Sequence, residues 1–415
     1  MTAREVAHAV LRRVFDEGAF TDRAFRAEAD RARLDPRERA FAQQLAYGAV
    51  QRRATLDHLI AQLSSRPPGK LDPPVRDALR LGLLQLLFLD GVADHAAVSE
   101  SVDLAGRGRG LVNAVLRRAQ RERDGLLGAL HDDTPEAAAV MHSHPEWLAR
   151  MWWEQLGADE TRALLRRDNE PAESAVRVNT LRAESLDLGV PVHPAPGLPE
   201  GLVLEGPLDI HASPAFERGE LMPQSRASMT VARVLDPRPG ERVLDLCAAP
   251  GAKTTHIAAL MEGSGEVVAV EAHAGRAKAL EENARRLGAS NVRVVVGDAA
   301  SPVGGQFDRV LLDPPCSDLG TLQSRPDVRW RKDPEMIERV AVQQAALLGA
   351  AAAQVRPGGV LVYSTCTISA GENEGQMASF LNEHPEFTAA QEPVRLLPHR
   401  DGTDGFFIAR LERSS

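Results

Sequence analysis

Only three cysteines occur in the 415 residues, and each lies beside a stretch that reads as a cofactor or catalytic loop: Leu246-Cys247-Ala-Ala-Pro-Gly, Asp313-Pro-Pro-Cys316-Ser and Ser364-Thr-Cys366-Thr. Thiols used as small apolar fillers can sit anywhere in a core. These sit at the ends of apolar runs, where side chains turn toward a cleft. An odd count without CxxC spacing predicts neither a disulfide framework nor a zinc site, so reduced thiols and no metal are expected. The polar Ser364, Thr365 and Thr367 around Cys366 weigh against a filler role and for a reactive thiol.

Two thiols at adjacent strand ends, one of them beside Asp313, suit methylation of an unreactive ring carbon. Carbon 5 of cytosine is a poor nucleophile until a thiolate adds to carbon 6. Asp313 can hydrogen-bond N3 or the exocyclic amine of such a ring and steady the adduct. Cys316 is then placed to assist loss of the carbon 5 proton. Methylation of an adenine amino group would call for an aromatic residue after Asp-Pro-Pro, and Cys316 stands there instead.

The loop Cys247, Ala248, Ala249, Pro250, Gly251, Ala252, Lys253 joins a strand to a helix, and its small residues let backbone amides approach a ligand. It is neither a GxxxxGK[ST] nor a GxGxxG loop, which favours a nucleoside cofactor without a pyrophosphate. S-adenosylmethionine fits. Glu271 at the next strand end can accept from ribose hydroxyls, and Asp298 at the third falls where an adenine amino group would lie. Taken singly, each acid is as well explained by capping or exposure; the ordered set, closing with Asp313-Pro-Pro, is what points to a methyltransferase.

These loops need a scaffold, and the chain supplies it in parts. Residues 1–130 carry apolar residues at helical spacing, Val6/Val10/Val14 and Leu79/Leu83/Leu86 among them, with Pro and Gly between the helices and no β-alternation. An all-α domain is expected there. Polar residues 131–144 read as a linker. Residues 145–237 open with a helix in which Trp147 and Trp152 should pack, and continue into a small mixed α/β subdomain through Ala175–Arg182. From 238 to 415, apolar runs at Arg242–Cys247, Glu266–Glu271, Val292–Gly297, Phe307–Asp313 and Gly359–Tyr363 alternate with helical patterns. Such runs signal a doubly wound parallel sheet buried on both faces.

Asp35-Pro-Arg-Glu-Arg-Ala-Phe-Ala through Tyr47-Gly, Arg80-Leu-Gly-Leu-Leu-Gln-Leu-Leu-Phe-Leu and Gly110-Leu-Val-Asn-Ala-Val-Leu-Arg-Arg together resemble a NusB-like RNA-binding helical domain. Leu246-Cys-Ala-Ala-Pro-Gly-Ala-Lys-Thr, Asp313-Pro-Pro-Cys-Ser-Asp-Leu-Gly-Thr-Leu, Arg325-Pro-Asp-Val-Arg-Trp330, Tyr363-Ser-Thr-Cys-Thr and Asp404-Gly-Phe-Phe-Ile-Ala-Arg-Leu resemble the Sun/Fmu, or RsmB-type, RNA cytosine-C5 methyltransferases. The resemblance implies a Rossmann-like S-adenosylmethionine methyltransferase domain and small-subunit (16S) ribosomal RNA as substrate; since the base must leave its stack, RNA still single-stranded, before or during subunit assembly, is the expected target. It also implies Cys366 as nucleophile and Cys316 as the thiol that aids release. The chain departs from the pattern at Ala252, where a second Gly is usual, at Ser225, where Asp is usual, and at Asp318, where Gly is usual. The segment after Arg182 is also short. These departures motivate the alternative, an RNA-binding assembly factor with a decayed site; Glu271, Asp313, Cys316 and Cys366 speak against it.

The net charge of −9 argues against indiscriminate nucleic-acid binding, but the charge is uneven. Residues 1–130 hold 21 Lys+Arg against 17 Asp+Glu, and the rest 28 against 41. The paired arginines Arg12/Arg13, Arg52/Arg53, Arg117/Arg118 and Arg121/Arg123 could track phosphates or simply solvate helix faces. No run reaches the length of a membrane span and no signal peptide opens the chain. A cytoplasmic monomer with no membrane partner is expected.

Overall fold

A computed structural model describes residues 1–415. It divides into two compact units: Met1–Pro171 with Leu322–Arg331, and Ala172–Thr321 with Lys332–Ser415.

The first unit is entirely helical. Its helices begin where the sequence supplies caps: Thr2 and Glu5 form a reciprocal capping box ahead of Ala3–Phe15, and Asp35 accepts from Arg37 N and Glu38 N ahead of Pro36–Gln51. The stripes Val6/Val10 and Leu79/Leu83 are fully buried in one core. Residues 131–144 depart from the expected linker. Thr134 caps a helix over Pro135–Met141, and His142, Ser143 and His144 are buried. Their polar atoms are used inside this unit: His142 pairs with Asp132 at 2.9 Å, and Ser143 Oγ accepts from Ala54 N at 2.9 Å. The helices Glu146–Leu156 and Ala158–Arg167 also belong to the first unit, with Trp152 fully buried and Trp147 half-buried. Polar composition, read as a linker, is here a set of specific buried hydrogen bonds.

The paired arginines are largely spoken for. Arg13 bridges to Glu28, Arg118 to Glu122 and Arg123 to Asp94, while Arg52 stacks 4.5 Å over Phe88. Arg117 and Arg121 are exposed.

Segment Leu322–Arg331 completes the first unit. The fully buried Arg329 donates to Ser143 O, Asn169 Oδ1, Asp168 O and Leu322 O, Trp330 Nε1 donates to Val50 O at 2.7 Å, and Arg331 donates to Gly18 O.

The second unit holds two sheets. The small one, β1 (Ala175–Val178), β2 (Val192–Ala195), β3 (Leu198–Leu204) and β4 (Leu221–Pro223), is antiparallel in the order β2-β3-β1-β4. Only turns and bends join β1 to β2. Buried Arg177 ties this sheet to the helix Ala252–Leu260 through Thr255 Oγ1 (2.9 Å) and to Gln224 (2.8 Å). Ser225 caps the helix Arg226–Leu235 by accepting from Ser228 N, the task an Asp would perform.

The large sheet comprises β5 (Arg242–Leu246), β6 (Glu266–Glu271), β7 (Val292–Val296), β8 (Phe307–Leu312), β9 (Val355–Thr365), β10 (Phe387–Ala389), β11 (Val394–Leu396) and β12 (Phe406–Arg413). Its order is β10-β12-β9-β8-β5-β6-β7, with β11 beside β12. Successive residues serve opposite faces: Leu244, Val268, Val310 and Leu361 enter one core, while Val243, Val267, Leu311 and Val362 enter the other. That double burial is why the strands read as unbroken apolar runs. The sheet is not all-parallel, however. Strand β12 runs antiparallel to β9, with Phe407/Ala409/Leu411 on one face and Phe406/Ile408 on the other.

Candidate active site

All the singled-out residues lie at or just beyond the carboxyl ends of β5 to β9, the ligand-binding edge of such a sheet. Strand β5 delivers the loop Cys247–Gly251. Cys247 (φ +64°) and Gly251 (φ +98°) both turn left-handed, and an ideal Cβ on Gly251 would sit 2.3 Å from Leu280 Cδ1. Only glycine fits there, so the loop offers backbone rather than side chain to a ligand. Ala252 is the first residue of the following helix and has ordinary φ, so its methyl group is accommodated. Ala248 and Ala249 are buried, and Pro250 carries the turn.

Acceptors surround the loop. Beneath it, Asp245 Oδ2 accepts from Thr254 Oγ1 at 2.6 Å, while the buried Oδ1 has no partner. Burial, partly opposed by that hydrogen bond, lifts the Asp245 carboxyl to about 7. Glu271, buried at the end of β6, accepts from His273 N at 3.0 Å and lies 3.5 Å from Arg276. Asp298, two residues beyond β7, is exposed and accepts from Ala300 N. A glycine-lined cradle, an orphaned carboxylate oxygen and a buried strand-end acid suit a cofactor bearing an ammonium group and ribose hydroxyls. Burial, then the charges of Asp313, Asp245 and Glu271, push the Cys247 thiol up to about 12, so it stays protonated.

Strands β8 and β9 bring the other two thiols together: Cys316 Sγ is 3.3 Å from Cys366 Sγ. The hydrogen bond with Cys316, burial, and the charges of Cys316, Asp318 and Asp313 all raise the Cys366 thiol. The scaffold behind the pair is Glu372, which accepts from Ser317 N at 2.8 Å and from Gln344 Nε2 at 3.1 Å, while Ser317 Oγ bonds Thr367 Oγ1. The loop is seated by Gly320, where a Cβ would strike Gly405 O at 2.0 Å, and Gly320 N donates to Cys366 O at 3.0 Å.

Asp313 receives two donors, Lys253 Nζ at 2.7 Å on Oδ2 and Ser364 Oγ at 2.8 Å on Oδ1. Burial disfavours the Lys253 charge, but Asp313 outweighs it and holds the ammonium above its usual range. Sequence reasoning placed Lys253 in the cofactor loop and missed that its ammonium reaches Asp313. It also missed Asp318, whose Oδ1 lies 3.4 Å from Cys366 Sγ and whose Oδ2 lies 3.2 Å from Lys332 Nζ. Nothing in local spacing ties Lys332 to Asp318.

A Rossmann-like sheet with this loop and these acids at its carboxyl edge defines an S-adenosylmethionine-dependent methyltransferase. Residues 232–412 match the family model of the 16S rRNA methyltransferase RsmB/F, residues 1–121 the NusB family, and residues 144–211 the ferredoxin-like domain of RsmF/B-like methyltransferases. The chain is 38% identical over 447 residues, all of both chains, to the probable ribosomal RNA small subunit methyltransferase B of Synechocystis. It is 40% identical to ribosomal RNA small subunit methyltransferase B of Thermus thermophilus, covering 99% of this chain and 98% of that one. The crystal structure of PH0851 superposes with a TM-score of 0.81 at 30% identity, over 100% and 99% of the two chains. That of NSun6 from Pyrococcus horikoshii, solved with the S-adenosylmethionine analogue SFG, gives 0.62 at 28% identity over 66% of this chain and 100% of its own. The chain belongs to the RsmB/F methyltransferase family.

Proposed function

We propose that this enzyme methylates carbon 5 of a cytosine in 16S ribosomal RNA, with Cys366 as the nucleophile. The observation that carries the reading is the meeting of Cys366 and Cys316 at 3.3 Å, with Asp313 bonded to Ser364 two residues before Cys366. Cys366 adds to carbon 6 of the flipped-out base, since the thiol must approach the ring face. Asp313, held by Lys253 and Ser364, faces the ring edge at N3 and the exocyclic amine. S-adenosylmethionine, when bound, supplies an electrophilic methyl group. The loop Cys247–Lys253 would cradle it, Glu271 would accept from its ribose hydroxyls and Asp298 would hold its adenine amino group. Cys316 assists loss of the carbon 5 proton, so that Cys366 can leave.

The helical unit contributes RNA affinity, and the relatives' names support ribosomal RNA as the target. The same reading makes the enzyme a cytoplasmic, metal-independent monomer acting before or during subunit assembly. No helix is long and apolar enough to cross a membrane. Bisulfite sequencing of 16S ribosomal RNA from cells lacking the gene tests the assignment. One cytosine should lose its methyl mark and regain it on complementation with the intact gene but not with Cys366→Ala. An unchanged methylation map would overturn the proposal.

A further inference from the structure

Asp318 has no part in the roles given above, yet its carboxylate is drawn into the thiol pair. Oδ1 accepts from Cys366 Sγ at 3.4 Å and lies 3.9 Å from Cys316 Sγ, and the three groups fall within 4.8 Å of one another. Lys332 Nζ donates to Oδ2 at 3.2 Å and holds the carboxylate in place from its other side. The residue adopts φ +59°, the left-handed region where Gly sits freely and Asp is among the few side chains tolerated. Its carbonyl is fixed by Thr321, whose N and Oγ1 both donate to it. A carboxylate therefore stands at a position whose backbone favours glycine, is held by a lysine, and is directed at the sulfur that must lose a proton.

We propose that Asp318 is the proton acceptor for Cys366. As the Sγ–C6 bond forms, the Sγ–H bond breaks and its proton passes to Asp318 Oδ1. The pair of the C5=C6 π bond moves toward C4 and N3, where Asp313 and Lys253 lie. After methyl transfer the C5–H bond breaks, its proton passing to a water molecule and its electron pair restoring C5=C6; the Sγ–C6 bond breaks with it, and the sulfur takes that pair and recovers the proton from Asp318. The inference rests on the nucleophilic role proposed for Cys366. The groups that face the reacting proton are Cys316 and Cys366 on the Oδ1 side and Lys332 on the Oδ2 side, with the Asp313/Lys253 pair acting on Cys366 through its charge.

The test measures formation of a denaturation-resistant protein–RNA adduct in a Cys316→Ala background, where release is slowed. Adding Asp318→Asn should slow adduct formation about 100-fold at pH 7, the scale of a lost general base. The deficit should shrink as pH rises and free thiolate forms without help. Asp318→Gly, which relieves the backbone, should be as slow while folding at least as stably. Full-rate adduct formation in either variant would overturn the inference and leave Cys366 as nucleophile. So would a deficit equal at all pH values, which marks a structural role alone. Absence of any adduct in Cys316→Ala itself, with no transfer in Cys366-intact enzyme, would remove the nucleophilic reading and this inference with it.

Discussion

Cys316 and Cys366 touch sulfur to sulfur although 50 residues separate them, because β8 and β9 are parallel neighbours and end side by side. The contact is also electrostatic: Cys316 is the foremost reason that the Cys366 thiol holds its proton. In Cys316→Ala, Cys366 should be alkylated by iodoacetamide several-fold faster near neutral pH, because the group that most raises its thiol is gone. Cys247, pushed up to about 12, should remain unmodified throughout. Peptide mass spectrometry across pH resolves the three thiols. Equal Cys366 rates in wild type and variant would mean that the pair is not coupled.

The cofactor loop separates two adjacent small residues by their backbone. Gly251→Ala drives a methyl group to 2.3 Å from Leu280 Cδ1 at φ +98°. It should cost about 1–3 kcal/mol of stability and weaken S-adenosylmethionine binding at least about tenfold. Ala252→Gly removes only one methyl group at a position of ordinary φ and should change stability by less than about 1 kcal/mol and leave binding unchanged. Calorimetric titration with denaturant curves distinguishes the pair. Identical behaviour of the two variants would refute the account of the loop.

Asp245 gives the fold a pH dependence of defined sign. Its carboxyl is raised from 3.8 to about 7, so between about pH 4 and 7 the native state keeps a proton that the unfolded chain has released. This group's contribution therefore favours folding at low pH and is lost as pH rises through that window, by up to about 1.4 kcal/mol per pH unit. Asp245→Asn lacks it. The stability of the variant relative to wild type should rise from pH 4.5 to 7.5 in urea unfolding. Parallel curves would show that Asp245 ionises normally.

The central strands were legible because burial on both faces leaves a continuous apolar run, and the site loops because each follows such a run. Strand β12 was visible only as the motif Asp404-Gly-Phe-Phe. Its direction depends on pairing with β9, which no local pattern encodes. The reading of residues 131–144 as a linker failed because Ser143 and His142 find partners at Ala54 and Asp132, one of them distant in sequence. Ser225 looked like a loss until its hydroxyl proved to cap the next helix. The contacts of Asp318 were not legible because its partners, Cys366 and Lys332, lie 48 and 14 residues away.

Segment Leu322–Arg331 belongs to the helical unit although it is encoded within the catalytic region, and it supplies the buried Arg329 and Trp330 Nε1. On the ribosome, the helical unit would therefore emerge with its socket for Arg329 empty. Roughly 160 further residues must be translated before the plug arrives, a wait on the order of ten to thirty seconds at ordinary elongation rates. During that interval the nascent helices would expose Ser143, Asp168 and Val50 carbonyls to water or to a chaperone, so the birth of this enzyme is a retroactive closure rather than a simple N-to-C order.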